Sequence, residues 1–157
     1  MTTAALSISR SAARLHHGCA DLIDRLQPLF ALAIRLYVAR VFFLSGLTKI
    51  HDWNITLALF ENEYHVPLLT PAVAAALGTF AELTLPVLLV LGFGTRFAAL
   101  ALFVFNIVAA TSYPELSDAG LKDHFLWGAL LLVALFYGPG RISADALLQG
   151  RRFKPEA

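Results

Sequence analysis

The sequence predicts an all-α membrane protein: a four-transmembrane-helix antiparallel bundle, with an N-terminal amphipathic surface helix and a short C-terminal interfacial helix. Three observations predict it. The 157 residues are 58% hydrophobic and 15% charged, where soluble domains run near ~45–50% and ~25%, and mean hydropathy is +0.69. The apolar residues gather into four segments, each near the ~17–25 residues that cross a ~30 Å hydrocarbon core as a helix. Strand-like alternation is absent from them, so a β-barrel fits poorly, and in hydrocarbon a helix satisfies its own backbone. The rival is a soluble bundle of buried helices. It needs polar helices to cover four such segments, and the chain has almost none left.

Residues 1–27 form the first unit. Leu15, Cys19, Leu22, Ile23 and Leu26 recur at helical spacing opposite Arg14, His17, Asp21 and Arg25, which reads as an amphipathic helix on the inner surface, with a disordered tail as the plainer alternative. The basic residues come too late for a secretory signal, and no small-residue cleavage site follows. Residues 28–140 form the membrane unit. Its spans are about Pro28–Ile50, Pro71–Leu91, Phe97–Tyr113 and about Leu121–Tyr137. Pro67 and Pro71 bracket the second entry, Gly92 and Gly94 make a tight turn, and Gly138-Pro139-Gly140 stops the fourth span. Pro86 is expected to bend the second span. Ala74 and Gly78 give it a small-residue contact face. Residues 141–157 form a cytoplasmic tail, in which Ser143 caps a short helix with Asp145 in its first turn.

Orientation follows from Lys and Arg in the connections. Arg10, Arg14, Arg25, Arg96, Arg141, Arg151, Arg152 and Lys154 fall at one end; Asp52, Glu61, Glu63, Glu115, Asp118 and Asp123 fall at the other. Both termini are therefore expected in the cytoplasm. With 12 Lys+Arg against 11 Asp+Glu, the net charge of +1 gives no field for nucleic acid. A single cysteine, Cys19, excludes an internal disulfide, a CxxC pair and a cysteine zinc site.

Polar residues at membrane depth are the candidate site. Arg40, Glu82 and Asn106 lie near the middle of the first three spans. A lone central charge costs at least ~2.5–3.5 kcal/mol, so an Arg40–Glu82 pair facing the interior is expected, with Asn106 hydrogen-bonded nearby. Such a pair sets either chemistry or only helix register. Arg35 and Lys49 share nearly one face, fourteen positions apart, and Arg40 is turned half a turn from Lys49 at ~100° per residue. Snorkelling is the plain reading for Arg35 and Lys49, although Lys49 also ranks among the cavity candidates. His124 and Trp127 share a face at the rim, where His124 could shuttle a proton, bond a quinone carbonyl or hold a helix end. His51, Asp52, His65 and Asp123 are weak metal candidates, because no HxxxH or HExxH spacing joins them. No nucleophile triad, phosphate loop, dinucleotide fingerprint or haem-attachment motif is present.

The runs ARVFFLSGLTKIHDW, LGTFAELTLPVLLVLGFGTRFAALALF and DHFLWGALLLVALFYGPGRISADALL, over roughly residues 32–148, resemble the DoxX family of small four-helix bacterial membrane proteins. The matching positions are Arg40, Ser45, Gly46, Lys49, Gly78, Ala81, Glu82, Arg96, Gly138-Pro139-Gly140 and Asp145. VFFLSGLTKIHDW and EYHVPLL also resemble a subgroup found beside small metal-stress-induced proteins. The resemblance implies an inner-membrane accessory subunit of a redox system. This chain carries no cofactor ligand set of its own, so electron transfer would use a bound quinone or a partner's cofactor, and independent catalysis is left open. The alternative is an anchor or transport-type component of a metal or oxidative-stress system. Membrane lipid, a protein partner and a second copy of the chain are the expected partners.

Overall fold

A computed structural model describes the backbone of residues 2–152 and the side chains of 19–148 and Gly150. The described residues form six α-helices and no strand: α1 (Thr2–His51), α2 (Trp53–Asn62), α3 (Pro71–Leu91), α4 (Thr95–Ser112), α5 (Asp118–Tyr137) and α6 (Ala144–Arg152). Four of them, α1 from Cys19 onward, α3, α4 and α5, are long and apolar enough to cross a membrane. They pack in a ring in which α1 touches α3, α3 touches α4, α4 touches α5 and α5 returns to α1. The chain is a multi-pass membrane protein. Phe80, Phe125 and Phe136 point outward from the bundle, where acyl chains accept them.

The N-terminal segment and the first span are one continuous helix, with no break at the expected 27/28 boundary. Pro28 removes a single backbone donor, and helix-forming sequence continues on both sides. Cys19, Asp21, Leu22, Ile23, Arg25 and Leu26 are all exposed, and Arg14, Leu15 and His17 of the amphipathic pattern lie outside the described side chains. α3 likewise runs through Pro86, which is buried. Pro86 stands one turn after Glu82 and cannot donate to the Glu82 carbonyl.

A second difference is α2, which occupies part of what reads as a loop. Asp52 caps it, accepting from the Ile55 amide at 3.0 Å. The Thr56 hydroxyl bonds the Lys49 carbonyl at 2.9 Å, fastening α2 to the end of α1. Phe60 is buried against Ala74 and Ala75 of α3.

The opposite end of the bundle is a clasp. Gly92 ends α3 in the left-handed conformation, φ 68°, and a Cβ there would overlap Arg35 and Ser143. Arg35 is 1% exposed. Its guanidinium donates to the carbonyls of Leu89 and Val90 in the last turn of α3, at 3.4 and 3.5 Å, and to Ile142 beyond α5. A cation at a helix C-terminus is favourably placed against the helix dipole. The snorkelling reading of Arg35 is therefore corrected: its head is held inward by carbonyls at the end of α3 and beyond α5. Ser143 caps α6 as expected, accepting from the Ala146 amide at 3.1 Å. Asp145 does more than sit in the first turn of α6. Its carboxylate accepts from the amides of Gly94 and Thr95, at 2.9 and 3.0 Å, so it caps α4 from another element. Its own amide donates to the Gly92 carbonyl at 2.8 Å.

Burial pushes the Asp145 carboxyl up, but the Thr95 and Gly94 amides and the Arg35 charge outweigh this and hold it below the usual aspartate range. Stability from a lowered carboxyl pKa is complete above the unfolded-state value and is lost as pH falls through the folded-state value. In thermal unfolding in mild detergent, Asp145→Ala is expected to cost about 1 kcal/mol at neutral pH, the usual worth of a cap. The gap between wild type and Asp145→Asn should shrink on acidification through the carboxylate range. A gap that stays flat or widens would contradict the capping role.

Candidate functional site

The inward face of α1 carries Arg35, Val38, Ala39, Phe42, Ser45, Gly46 and Lys49, all buried or half-buried. Gly46 brings α1 close to α3, since a Cβ there would lie 2.9 Å from the Leu83 side chain and 3.0 Å from the Glu82 Cβ. Across this contact Lys49 Nζ donates to Glu82 Oε1 and Oε2 at 2.8 and 2.7 Å. It also donates to Ser45 Oγ at 2.9 Å, and Ser45 Oγ donates to Glu82 Oε1 at 3.0 Å. All three ammonium donors and both carboxylate oxygens are engaged. Glu82 is 4% exposed. A buried pair offsets its desolvation only with such geometry.

The expected Arg40–Glu82 pair is thereby corrected. Arg40 is exposed on the outer face of α1, while Glu82 pairs with Lys49. Nine residues separate Arg40 from Lys49, so a helix that turns one toward α3 turns the other away. The snorkelling reading of Lys49 falls with it, because the ammonium reaches inward to a carboxylate. Asn106 is also corrected. It is buried in α4, but it bonds His124 of α5, not the ion pair.

The Asn106 Nδ2 donates to the His124 carbonyl at 2.9 Å, which turns its Oδ1 toward His124 Nδ1 at 2.8 Å. On that assignment Nδ1 carries the ring proton and Nε2 keeps a lone pair. His124 meets Trp127 edge to face at 4.9 Å between ring centres, and Trp127 meets Phe42 in the same manner at 6.0 Å.

These groups border one cavity of about 530 Å³, a size typical of small-molecule sites. Lys49, Ser45 and Glu82 line one wall; His124 and Trp127 line another. Small residues at Ala74, Gly78, Ala81, Ala101 and Ala109 leave the space. Thus Ala74 and Gly78 do form a contact face, but at Gly78 the neighbours are rings: a Cβ would stand 3.7 Å from both Phe60 and Phe105. Toward α2, Phe60 stacks on Tyr64 at 4.8 Å, and Tyr64 lies 5.3 Å from Tyr113. Burial and then the Glu82 carboxylate push the Tyr64 phenol up, so it stays a neutral hydrogen-bonding group. The core toward the clasp is filled by Val38, Phe42, Leu89, Leu102, Leu131 and four alanines, and a second space of about 340 Å³ lies beside it between Pro28 and Ile34 of α1 and Val133 and Tyr137 of α5.

Of the cavity candidates, Lys49, Glu82, His124 and Trp127 line the space, Asn106 orients His124, and Arg40 is elsewhere. Among the described residues, no three His, Cys, Asp or Glu side chains gather to hold a metal. His51, Asp52, His65 and Asp123 are each exposed, and Asp52 is engaged as the α2 cap. Sequence reasoning missed Ser45 as a member of the ion cluster and Tyr64 as part of the cavity lining.

Fold and site define a four-span helical membrane protein with an intramembrane ion pair beside a partly open, largely apolar space. The DoxX family model matches residues 30–114. An uncharacterized protein of Haemophilus influenzae is 34% identical over 127 residues, covering 75% of this chain and 82% of the relative. No solved structure matches the chain. The chain belongs to the DoxX family.

Unfolding of single and double variants tests the pairing. Glu82→Ala strands a buried ammonium and should cost about 3–5 kcal/mol. Lys49→Met should cost less, because the carboxyl left behind can take up a proton. The double variant should cost no more than Glu82→Ala alone, whereas Arg40→Ala and Glu82→Ala should add. Additive losses at Lys49 and Glu82 would remove the pair.

Proposed function

We propose that this protein is an inner-membrane accessory subunit of a redox system whose cavity holds a lipid-like ligand, with a quinone as the leading candidate. One observation carries the reading: an apolar space of about 530 Å³ at membrane depth, bordered by a fixed ionic and hydroxyl cluster. Apolar walls suit an isoprenoid or acyl tail, and a few placed polar groups suit a head that must be oriented. The redox context comes from the DoxX resemblance. On this reading Lys49, Glu82 and Ser45 set the polarity of one wall and His124 offers a ring nitrogen on the other. Electrons would pass through the ligand or a partner's cofactor. The anchor or transport alternative for a metal-stress system has no cluster of ligating side chains among the described residues to favour it.

The cytoplasmic placement of both termini belongs to the same proposal. It is supported by the basic residues at the 92–96 and 138–154 connections and the acidic residues at 52–63 and 115–123.

Purification from native membranes in mild detergent, with solvent extraction and mass spectrometry, should return an isoprenoid quinone in near-stoichiometric amount. Quinone at no more than its level in bulk lipid would refute the ligand. For orientation, a Cys19→Ser background carrying Glu61→Cys should react with a membrane-impermeant maleimide in spheroplasts. Arg141→Cys should react only after lysis, and the reverse pattern would invert the topology.

A further inference from the structure

The second space, of about 340 Å³, lies at the clasp end of the bundle, between the start of the first span and the end of α5. Phe30, Ile34, Val133 and Ala134 give it apolar walls, and Gln27, Tyr137 and Arg141 give it polar ones. The polar residues fall toward one end. Gln27 stands two turns before Ile34 on α1, Tyr137 is the last residue of α5, and Arg141 follows it by four positions. From Gln27 to Ile34 a helix rises about 10 Å. The space is therefore a groove, with a polar mouth where the spans end and an apolar floor that runs toward the bilayer centre. It opens outward from the bundle, since Phe30 is 66% and Tyr137 80% exposed.

The turn after α5 sets the mouth. Gly138 and Gly140 have φ of 81° and 74°. A Cβ on Gly140 would lie 3.1 Å from the Ala31 Cβ and 3.8 Å from the Pro28 Cα, so the turn is pressed against α1 and delivers Arg141 to the groove. Arg141 is exposed. Among the described residues the one salt bridge is Lys49–Glu82, so neither Asp21 nor Asp24 of α1 pairs with Arg141. Asp145 is spent on the Gly94 and Thr95 amides. Arg96 lies beside the same turn, since a Gly138 Cβ would stand 3.6 Å from its guanidinium. It does not line the groove, but it adds positive charge near the mouth.

We propose that this groove binds one phospholipid with an anionic head, an acyl chain lying over Phe30, Ile34 and Val133 and Arg141 meeting the headgroup phosphate. Charge complementarity selects this occupant. Basic pockets between spans at the level of the headgroups attract anionic lipid, and a guanidinium matches phosphate oxygens in shape as well as charge. A zwitterionic lipid also offers a phosphate, but its own ammonium offsets the attraction. The groove is separate from the cavity beside Glu82, and the inference stands whatever that cavity holds and whichever leaflet this end of the bundle meets.

Competition between two lipids with the same tails tests this. The full chain in mild detergent is mixed with dioleoyl-phosphatidylglycerol and dioleoyl-phosphatidylcholine at equal concentration, and bound lipid per chain is counted by native mass spectrometry. The first lipid retained should be phosphatidylglycerol, preferred by at least about fivefold, the worth of one cation at an anionic surface. Arg141→Gln should reduce the preference about fivefold. Arg40→Gln removes an exposed cation elsewhere on α1 and should leave it unchanged. Val133→Trp fills the groove from an exposed position and should abolish retention although Arg141 is intact. Equal retention of the two lipids would overturn the proposal, as would a preference that survives both Arg141→Gln and Val133→Trp or that falls equally with Arg40→Gln. Displacement of the lipid by an equal concentration of glycerol 3-phosphate would make this a site for free phosphate and remove the lipid from it. A dimer that holds no lipid and that Val133→Trp splits would give the groove to a second copy of the chain.

Discussion

A carboxylate at Glu82 can exist in the middle of this bundle only if a cation comes to it from within. That constraint sets the rotation of α1. With Lys49 Nζ at 2.7 Å from Glu82, the same face must bring Gly46 against Leu83 and carry Arg35 inward one bundle-length away. Fourteen residues separate Arg35 from Lys49, close to four whole turns. One rotation therefore satisfies two demands. At one end it neutralises an acid inside the membrane; at the other it places a guanidinium on the carbonyls that end α3. Turning α1 by half a turn would present Arg40 in their place, and both arrangements would be lost together.

The two halves of the bundle are consequently built differently. The clasp half is tied by hydrogen bonds between helix ends: Arg35 to α3, Asp145 to α4, and the Asp145 amide to Gly92. Alanines at 39, 98, 99 and 134 let its helices close, as small residues do where lipid offers no hydrophobic drive to association. In the other half the small residues face a space that phenylalanine and tyrosine rings only partly fill. The hydrogen-bonded half ties the helix ends together. The open half can then keep a cavity without collapsing onto it.

This division also explains what was legible beforehand. Span number, the limits of the second span and the Ser143 cap follow from hydropathy and local turn chemistry, and the structure carries them, whereas the first helix runs on past its expected start at Pro28. Glu82 as a buried acid follows from its depth alone. Its partner does not, because in a bilayer both faces of a span are apolar. Leu36, Tyr37, Leu44 and Leu47 look outward while Val38, Ala39 and Phe42 look inward, and hydrophobicity barely separates the two sets. The better signal was size and polarity together, since Ser45 and Gly46 mark the face that meets another helix. The hydrogen bonds of Asp145 to α4 join residues 50 and 51 positions apart, which no local pattern reports. α2 was hidden by its brevity, since ten residues are too few to show a decisive period.

A complete ion pair has a further consequence for how such a site could discriminate. Charges that already satisfy each other contribute little to holding a neutral guest, and opening them would expose both to a medium that solvates neither. They act instead as a boundary: they exclude a second ion, and they fix α1 against α3 so that the opposite wall keeps its shape. Selectivity must then come from directional groups that are not yet spent.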